Sequence, residues 1–376
     1  MTDRDFERRL PGTVEMSSLA RRWAKSHLDP ILLFGLLGIV AYGLVVLYSA
    51  VGKNQTIFLN QAVRMLFAVC VMIIVAQIHP RIYLRWAPFV YLGGLILTVA
   101  VLLNGIEVKG SKRWLEIPGL FRFQPSEFMK IAVPLMVAWF LHERQLPPSL
   151  KDAAISAIIV IAPAIAIIFQ PDLGTALLVL FAGSVVIILG GINWKWIAYV
   201  FAALATATPG LWLLLKDYQK QRILTLFNPE SDPLGAGWNI IQSKTAIGSG
   251  GIYGKGLFEG TQSQLEFLPE SHTDFIIAVI GEELGFMGIM FLLTLYCIVI
   301  SRSIYLSVQA SDTFQRLVTG ALSFTFFVYV FVNIAMVMGM LPVVGVPLPL
   351  VSYGGSSAIT LLTGFGIIMG VITRKT

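Results

Sequence analysis

The sequence predicts an all-α polytopic membrane protein with about ten transmembrane helices. Three observations carry that prediction. Of 376 residues, 56% are hydrophobic and 13% are charged, against roughly a quarter charged in a soluble domain. Apolar runs long enough to cross a bilayer recur along the chain. Most polar residues kept among those runs gather towards one face of the bilayer.

The predicted spans cover residues 31–51, 57–77, 87–104, 125–142, 154–169, 173–191, 196–215, 274–301, 316–338 and 354–372. Residues 1–30 form a polar, basic N-terminal segment with no cleavable signal pattern. Residues 31–376 form a single transmembrane domain, with a large external loop at 216–273. Lysine and arginine set the orientation. Arg4, Arg8, Arg9, Arg21, Arg22 and Lys25 precede the first span. Counting spans puts Arg81, Arg85, Arg144, Lys151, Lys195, Arg302, Arg316, Arg374 and Lys375 on the same side. That side is expected to be cytoplasmic, with both termini on it.

The net charge of +6 is spread over loops, with no basic arm interleaved with aromatics. That pattern fits topology and anionic lipid and argues against nucleic acid. Cys70 and Cys297 fall inside predicted spans and read as free core thiols. His27, His79, His142 and His272 are scattered without metal-ligand spacing.

Two outer loops, 105–124 and 216–273, break the positive-inside pattern. The first carries Lys109, Lys112, Arg113 and Arg122; the second carries Lys216, Lys220, Arg222, Lys244 and Lys255. Such residues either meet an anion or are ordinary solvated charge. Within the second loop, Trp238 to Ile247 reads as an amphipathic helix with Trp238, Ile241 and Ile247 on one side, suited to the interface. Gly254-Lys255 resembles the end of a P-loop, but Ser249 and Gly256 occupy positions that motif reserves for other residues.

Ionisable residues inside spans cost roughly 2.5–3.5 kcal/mol each at a helix centre. They are Arg64, Glu127, Lys130, Glu282 and Glu283. Glu127 and Lys130 lie three apart and share a helix face. They read either as a structural pair or, with Arg64 and Asp172, as the lining of an outward cavity. Gln124-Pro125-Ser126-Glu127 and Gln170-Pro171-Asp172 form similar starts to two spans on the outer face. Glu266, Glu270 and Asp274 cluster where the long loop meets the eighth span. Asp274 suits either a helix N-cap or a general base beside a basic loop. The Gly354-Gly355-Ser356-Ser357 run opens the tenth span and suits either an anion site or a tight re-entrant turn.

Five segments resemble the SEDS family of shape, elongation, division and sporulation proteins. They are GSKRWL at 110–115, RFQPSEFMK at 122–130, FQPDLGT at 169–175, FLPESHTDF at 267–275 and LPVVGVPLPLVSYGGSS at 341–357. The resemblance covers nearly the whole chain from about residue 28. The flanks at 228–244 and 261–270 are similar to the elongation members rather than the division members.

The resemblance implies a peptidoglycan glycosyltransferase of the bacterial cytoplasmic membrane. Such enzymes polymerise undecaprenyl-pyrophosphate-linked lipid II on the outer face. They work with a class B penicillin-binding protein and other rod-complex proteins. The resemblance also implies essential roles for Asp274, Trp114, Glu127 and Lys130. The chemistry needs a base for a sugar hydroxyl and charge relief for a departing pyrophosphate. Asp274 is the expected base. Lys112, Arg113, Arg222, Lys244 and Lys255 are candidates for the pyrophosphate, joined by Arg64, Asp172, Glu266 and Ser356 as substrate contacts. A divalent cation, magnesium or manganese, is an optional cofactor; no preformed cage is visible. A lipid II flippase and a non-catalytic scaffold for the penicillin-binding protein are the alternatives. Few ionisable residues on spans 5, 7, 9 and 10 count against the first, and clustered outer charges against the second.

Overall fold

A computed structural model describes residues 26–108, 111–117, 121–232, 235–264 and 271–373. Helices α1 (Pro30–Ala50), α2 (Gln55–Ala76) and α3 (Pro80–Asn104) open the chain, each started by a side-chain cap from Asp29, Asn54 or His79. A small antiparallel sheet follows, with β1 (Ile106–Val108), β2 (Ser111–Ile117) and β3 (Phe121–Phe123) in sequence order. Next come α4 (Pro125–Leu141), α5 (Leu150–Phe169), α6 (Leu173–Leu189) and α7 (Trp194–Leu214). The long segment between α7 and α11 holds α8 (Asp217–Phe227), α9 (Ala236–Ser249) and α10 (Thr261–Gln264). The chain returns through α11 (Ile276–Glu283), α12 (Gly285–Gln309), α13 (Thr313–Val337) and α14 (Gly355–Thr373).

All ten expected spans are present as helices. Six of them (α1, α2, α3, α5, α12 and α13) are long and apolar enough to cross a bilayer by length and composition. The structure is that of a multi-pass membrane protein. Its centre is α4 and α13: α4 is buried along most of its length, and two-thirds of the apolar window of α13 is buried. Large exposed apolar side chains coat the outer helices, as a lipid-facing surface requires. Helices α2 and α14 approach closely at Gly366 and Gly370. A Cβ there would lie 2.6 Å from Met72 O and 2.8 Å from Ala76 O. This is the small-xxx-small packing by which membrane helices gain van der Waals contact.

Four expectations need correction. The eighth span is broken, not continuous: Gly285 has φ +66° and separates α11 from α12. A Cβ at Gly285 would sit 2.3 Å from Gly254 N, so only glycine allows the external loop to cross there. The first outer loop carries a sheet; its short strands and glycine left no clear alternating pattern. Helix α9 forms at the expected place, but Ile240, Ser243 and Ala246 make its buried face, packed largely on α11. Trp238, Ile241 and Ile247 are only partly buried. Finally, Cys70 and Cys297 are free but face outward, because lipid accepts a thiol as readily as a core does.

Candidate active site

A cavity of about 270 Å³ lies where β2, α4, α6, α13, α14 and the segment just before α11 converge. Its wall includes Arg113, Trp114, Glu127, Lys130, Asp172, Asp274 and Ser356. Seven of the sequence candidates therefore meet in one place. Gln124, Tyr329, Tyr353 and the turn Gly345–Pro347 complete it.

The two similar helix starts touch each other. Gln124 Nε2 donates to Asp172 Oδ2 at 3.0 Å. They differ in detail: Pro125 opens α4, whereas Pro171 precedes the cap and Asp172 is itself the N-cap of α6. Asp172 accepts from Thr175 N at 3.1 Å and from the Thr175 hydroxyl at 3.0 Å. Arg113 Nε lies 3.7 Å from the same carboxylate, and its Nη2 donates to Pro171 O at 3.1 Å. These bonds hold the sheet over the cavity mouth and engage much of the hydrogen-bonding capacity of Asp172.

Glu127 and Lys130 form the buried pair expected from their spacing, Nζ to Oε1 at 2.5 Å. Tyr329 closes it from α13. Its ring lies 4.5 Å under the ammonium, and its hydroxyl donates to Glu127 Oε2 at 3.5 Å. The ring face and the carboxylate together offset the desolvation of the lysine.

Asp274 does not cap a helix. Helix α11 starts at Ile276 with Phe275 in the cap position and no side-chain cap bond. The Asp274 carboxylate points at the 343–347 turn: a Cβ on Gly345 would lie 3.6 Å from Oδ2. Asn333 Nδ2 donates to Asp274 O at 2.8 Å and to Val346 O at 2.7 Å. Ser352 Oγ donates to Thr273 O at 2.6 Å, and Tyr353 N to His272 O at 2.9 Å. Gln61 Nε2 donates to Ser352 O at 3.3 Å. The run before α14 is thus a re-entrant turn clamped against the Asp274 segment.

Other candidates lie elsewhere. Arg64 Cζ sits 5.2 Å from the Tyr353 ring centre, behind the wall. Lys112, Arg222 and Lys244 are exposed and do not line the cavity. Lys255 Nζ is bound to Glu282 Oε1 at 2.8 Å, away from the cavity. Glu266 and Glu270 lie outside the described residues, as does Lys109, and of the Arg122 side chain nothing is described. Sequence reasoning missed Gln61, Tyr329 and Asn333. Asn333 offers the best retrospective signal, a lone amide in an apolar span.

The family model of the FtsW/RodA/SpoVE cell cycle proteins matches residues 27–376. The peptidoglycan glycosyltransferase MrdB of Escherichia coli K12 is 51% identical over 354 residues, covering 94% of this chain and 95% of that one. The probable peptidoglycan glycosyltransferase FtsW of Trichlorobacter lovleyi is 35% identical over 367 residues, with 94% and 95% covered. Among solved structures, a chain of a peptidoglycan synthase complex that coordinates polymerization and crosslinking superposes with a TM-score of 0.80 at 31% identity. It covers 91% of this chain and 97% of that one. The crystal structure of the rod shape determining protein RodA of Thermus thermophilus gives 0.70 at 29% identity, with 91% and 96% covered. The chain belongs to the FtsW/RodA/SpoVE family.

Proposed function

We propose that this chain, a peptidoglycan glycosyltransferase, joins lipid II into glycan strands at the outward cavity, with Asp274 as general base. One observation carries the reading. Asp274 lies before the cap position of α11 and lines the same cavity as Arg113, Trp114 and the N-terminus of α14.

In the reaction the acceptor sugar hydroxyl attacks C1 of the donor glycan. Asp274 takes the hydroxyl proton, and the bond from C1 to the pyrophosphate oxygen breaks with inversion. A single displacement needs no covalent glycosyl-enzyme. Arg113 and the backbone N–H groups at the start of α14, beside Ser356, stabilise the departing charge. Trp114 offers an apolar face to a sugar ring. The Glu127–Lys130 pair, held by Tyr329, sets the floor of the site. The lipid tails leave sideways between apolar helices.

The cavity wall carries two cations, Arg113 and Lys130, against three carboxylates, Glu127, Asp172 and Asp274. A pyrophosphate entering it gains from further positive charge. Among the described residues no three His, Cys, Asp or Glu side chains form a metal cage. Magnesium or manganese would fit with Asp274 and the pyrophosphate oxygens as ligands, the mode in which such ions bind phosphates. When bound, the cation would supply charge for the leaving group.

The reading sets the protein in the bacterial cytoplasmic membrane with both termini in the cytoplasm. Its partner is a class B penicillin-binding protein, supported by the likeness to a synthase complex that couples polymerization to crosslinking. The test is in-gel polymerisation of fluorescent lipid II by the protein fused to its cognate partner, run beside Asp274→Asn. A glycan ladder from wild type and none from an equally folded Asp274→Asn is expected. A ladder from the variant sinks the base assignment. Labelled lipid II that crosses vesicles without polymerising would favour a flippase instead.

A further inference from the structure

The break between α11 and α12 holds a buried carboxylate that the reaction does not touch. Glu282 is fully buried. Its Oε1 accepts from Lys255 Nζ at 2.8 Å, from the Thr261 hydroxyl at 3.0 Å and from Gln262 N at 2.9 Å. Lys255 Nζ also donates to the Thr261 hydroxyl at 2.9 Å. Three donors from the loop therefore close on one side chain.

The backbone repeats the pattern. Lys255 N donates to Glu282 O at 3.0 Å and Gly256 N to Glu283 O at 2.9 Å. Phe286 N donates to Gly251 O at 2.9 Å and Met287 N to Ile252 O at 3.0 Å. The loop supplies partners for amides and carbonyls that the helix break frees, which a membrane protein must do. Close approach requires the glycines: a Cβ at Gly250 would meet Gly281 O at 1.9 Å, and one at Gly254 would meet Glu283 O at 2.2 Å.

Helix α11 is eight residues long, about 12 Å. Asp274 lies just before its first residue, and Glu282 lies near its last. Glu282 thus ties Lys255, Thr261 and Gln262 to the C-terminal end of the helix whose N-terminal end follows Asp274. Without the Glu282 tie, the loop from Ser249 to Gln264 loses a fully buried carboxylate anchor. Ordering a longer free loop costs more entropy.

We propose that Glu282, acting through Lys255 and the start of α10, is a positioning residue that fixes α11, the helix that follows Asp274. The inference rests on Asp274 being the base. Lys255 then belongs to this tie and not to the pyrophosphate.

The test uses the full protein with its partner, measuring initial polymerisation rate against lipid II concentration, and Tm, for five variants. Glu282→Gln and Lys255→Met are expected to lower kcat about tenfold or more, with KM within about twofold, since misplacement of a reacting group acts on the chemical step. Lys255→Arg is expected to retain the rate. The double variant Lys255→Met/Glu282→Gln leaves no unpaired buried charge, so its Tm should recover while kcat stays low. Recovery of kcat along with Tm would make the pair merely structural and overturn the proposal. Loss in Lys255→Met with full activity in Glu282→Gln would return Lys255 to the substrate and also overturn it. Asp274→Asn is the fifth variant. If it is inactive while Glu282→Gln is fully active, only the positioning role fails; if it polymerises, the base assignment itself fails.

Discussion

At the scale of single residues, the site is held in part by side chains that sequence reasoning missed. Asn333 is fully buried and bridges the Asp274 and Val346 carbonyls. Asn333→Leu keeps the volume and removes both bonds, leaving two carbonyls short of a donor. A loss of about 2–4 kcal/mol follows, read as a lower Tm in detergent, with slower polymerisation by the folded fraction. Unchanged Tm and rate would show that other donors replace the amide. Glu127→Gln strands the Lys130 ammonium, which is almost fully buried, and should cost about 3–5 kcal/mol. The double variant Glu127→Gln/Lys130→Met should cost less than the sum of the singles, because the two groups are in direct contact. Additive losses in thermal unfolding would mean that the pair is not coupled. The spacing of Glu127 and Lys130 made their contact legible. Tyr329 was not legible, since nothing in a span says which tyrosine will face a lysine.

At the scale of elements, helix existence was readable and helix continuity was not. Hydropathy finds the apolar run 274–301, but the break at Leu284-Gly285 depends on the external loop, far away in the chain. Gly285 adopts φ +66°, and a Cβ there would lie 2.3 Å from Gly254 N. Gly285→Ala adds both left-handed strain and a backbone clash, about 1–3 kcal/mol for the strain alone. It should lower folded yield and Tm sharply. Gly93 lies exposed in α3 with nothing within 4 Å of an added Cβ. Gly93→Ala should be neutral within about 1 kcal/mol. Equal Tm values for the two variants would show that the break is not needed. The same dependence on distant chain explains α9: its periodicity was legible, but which stripe would be buried was decided by α11.

At the scale of the whole molecule, the alternation of spans makes one strong claim. It sends Arg81, Arg85, Arg144, Lys151, Lys195, Arg302 and Arg316 to one end of the bundle, and the cavity to the other. The basic residues on the cavity side seemed to violate the positive-inside pattern. The structure accounts for two of them by packing: Arg113 lies against Asp172, and Lys255 pairs with buried Glu282. Charges committed to buried carboxylates are poor topology signals, and long loops weigh little in any case. Orientation can be read directly in a Cys70→Ser/Cys297→Ser background, since both native thiols are free and exposed. Glu230→Cys is expected to react with an impermeant thiol reagent on intact spheroplasts. Gln145→Cys and Ser311→Cys should react only after permeabilisation. All three positions are exposed, so failure to label cannot be put down to burial within the protein. The reverse pattern would turn the cavity to the cytoplasm, away from the face where strands are built, and would remove the proposed polymerisation along with the roles given to Asp274 and Glu282.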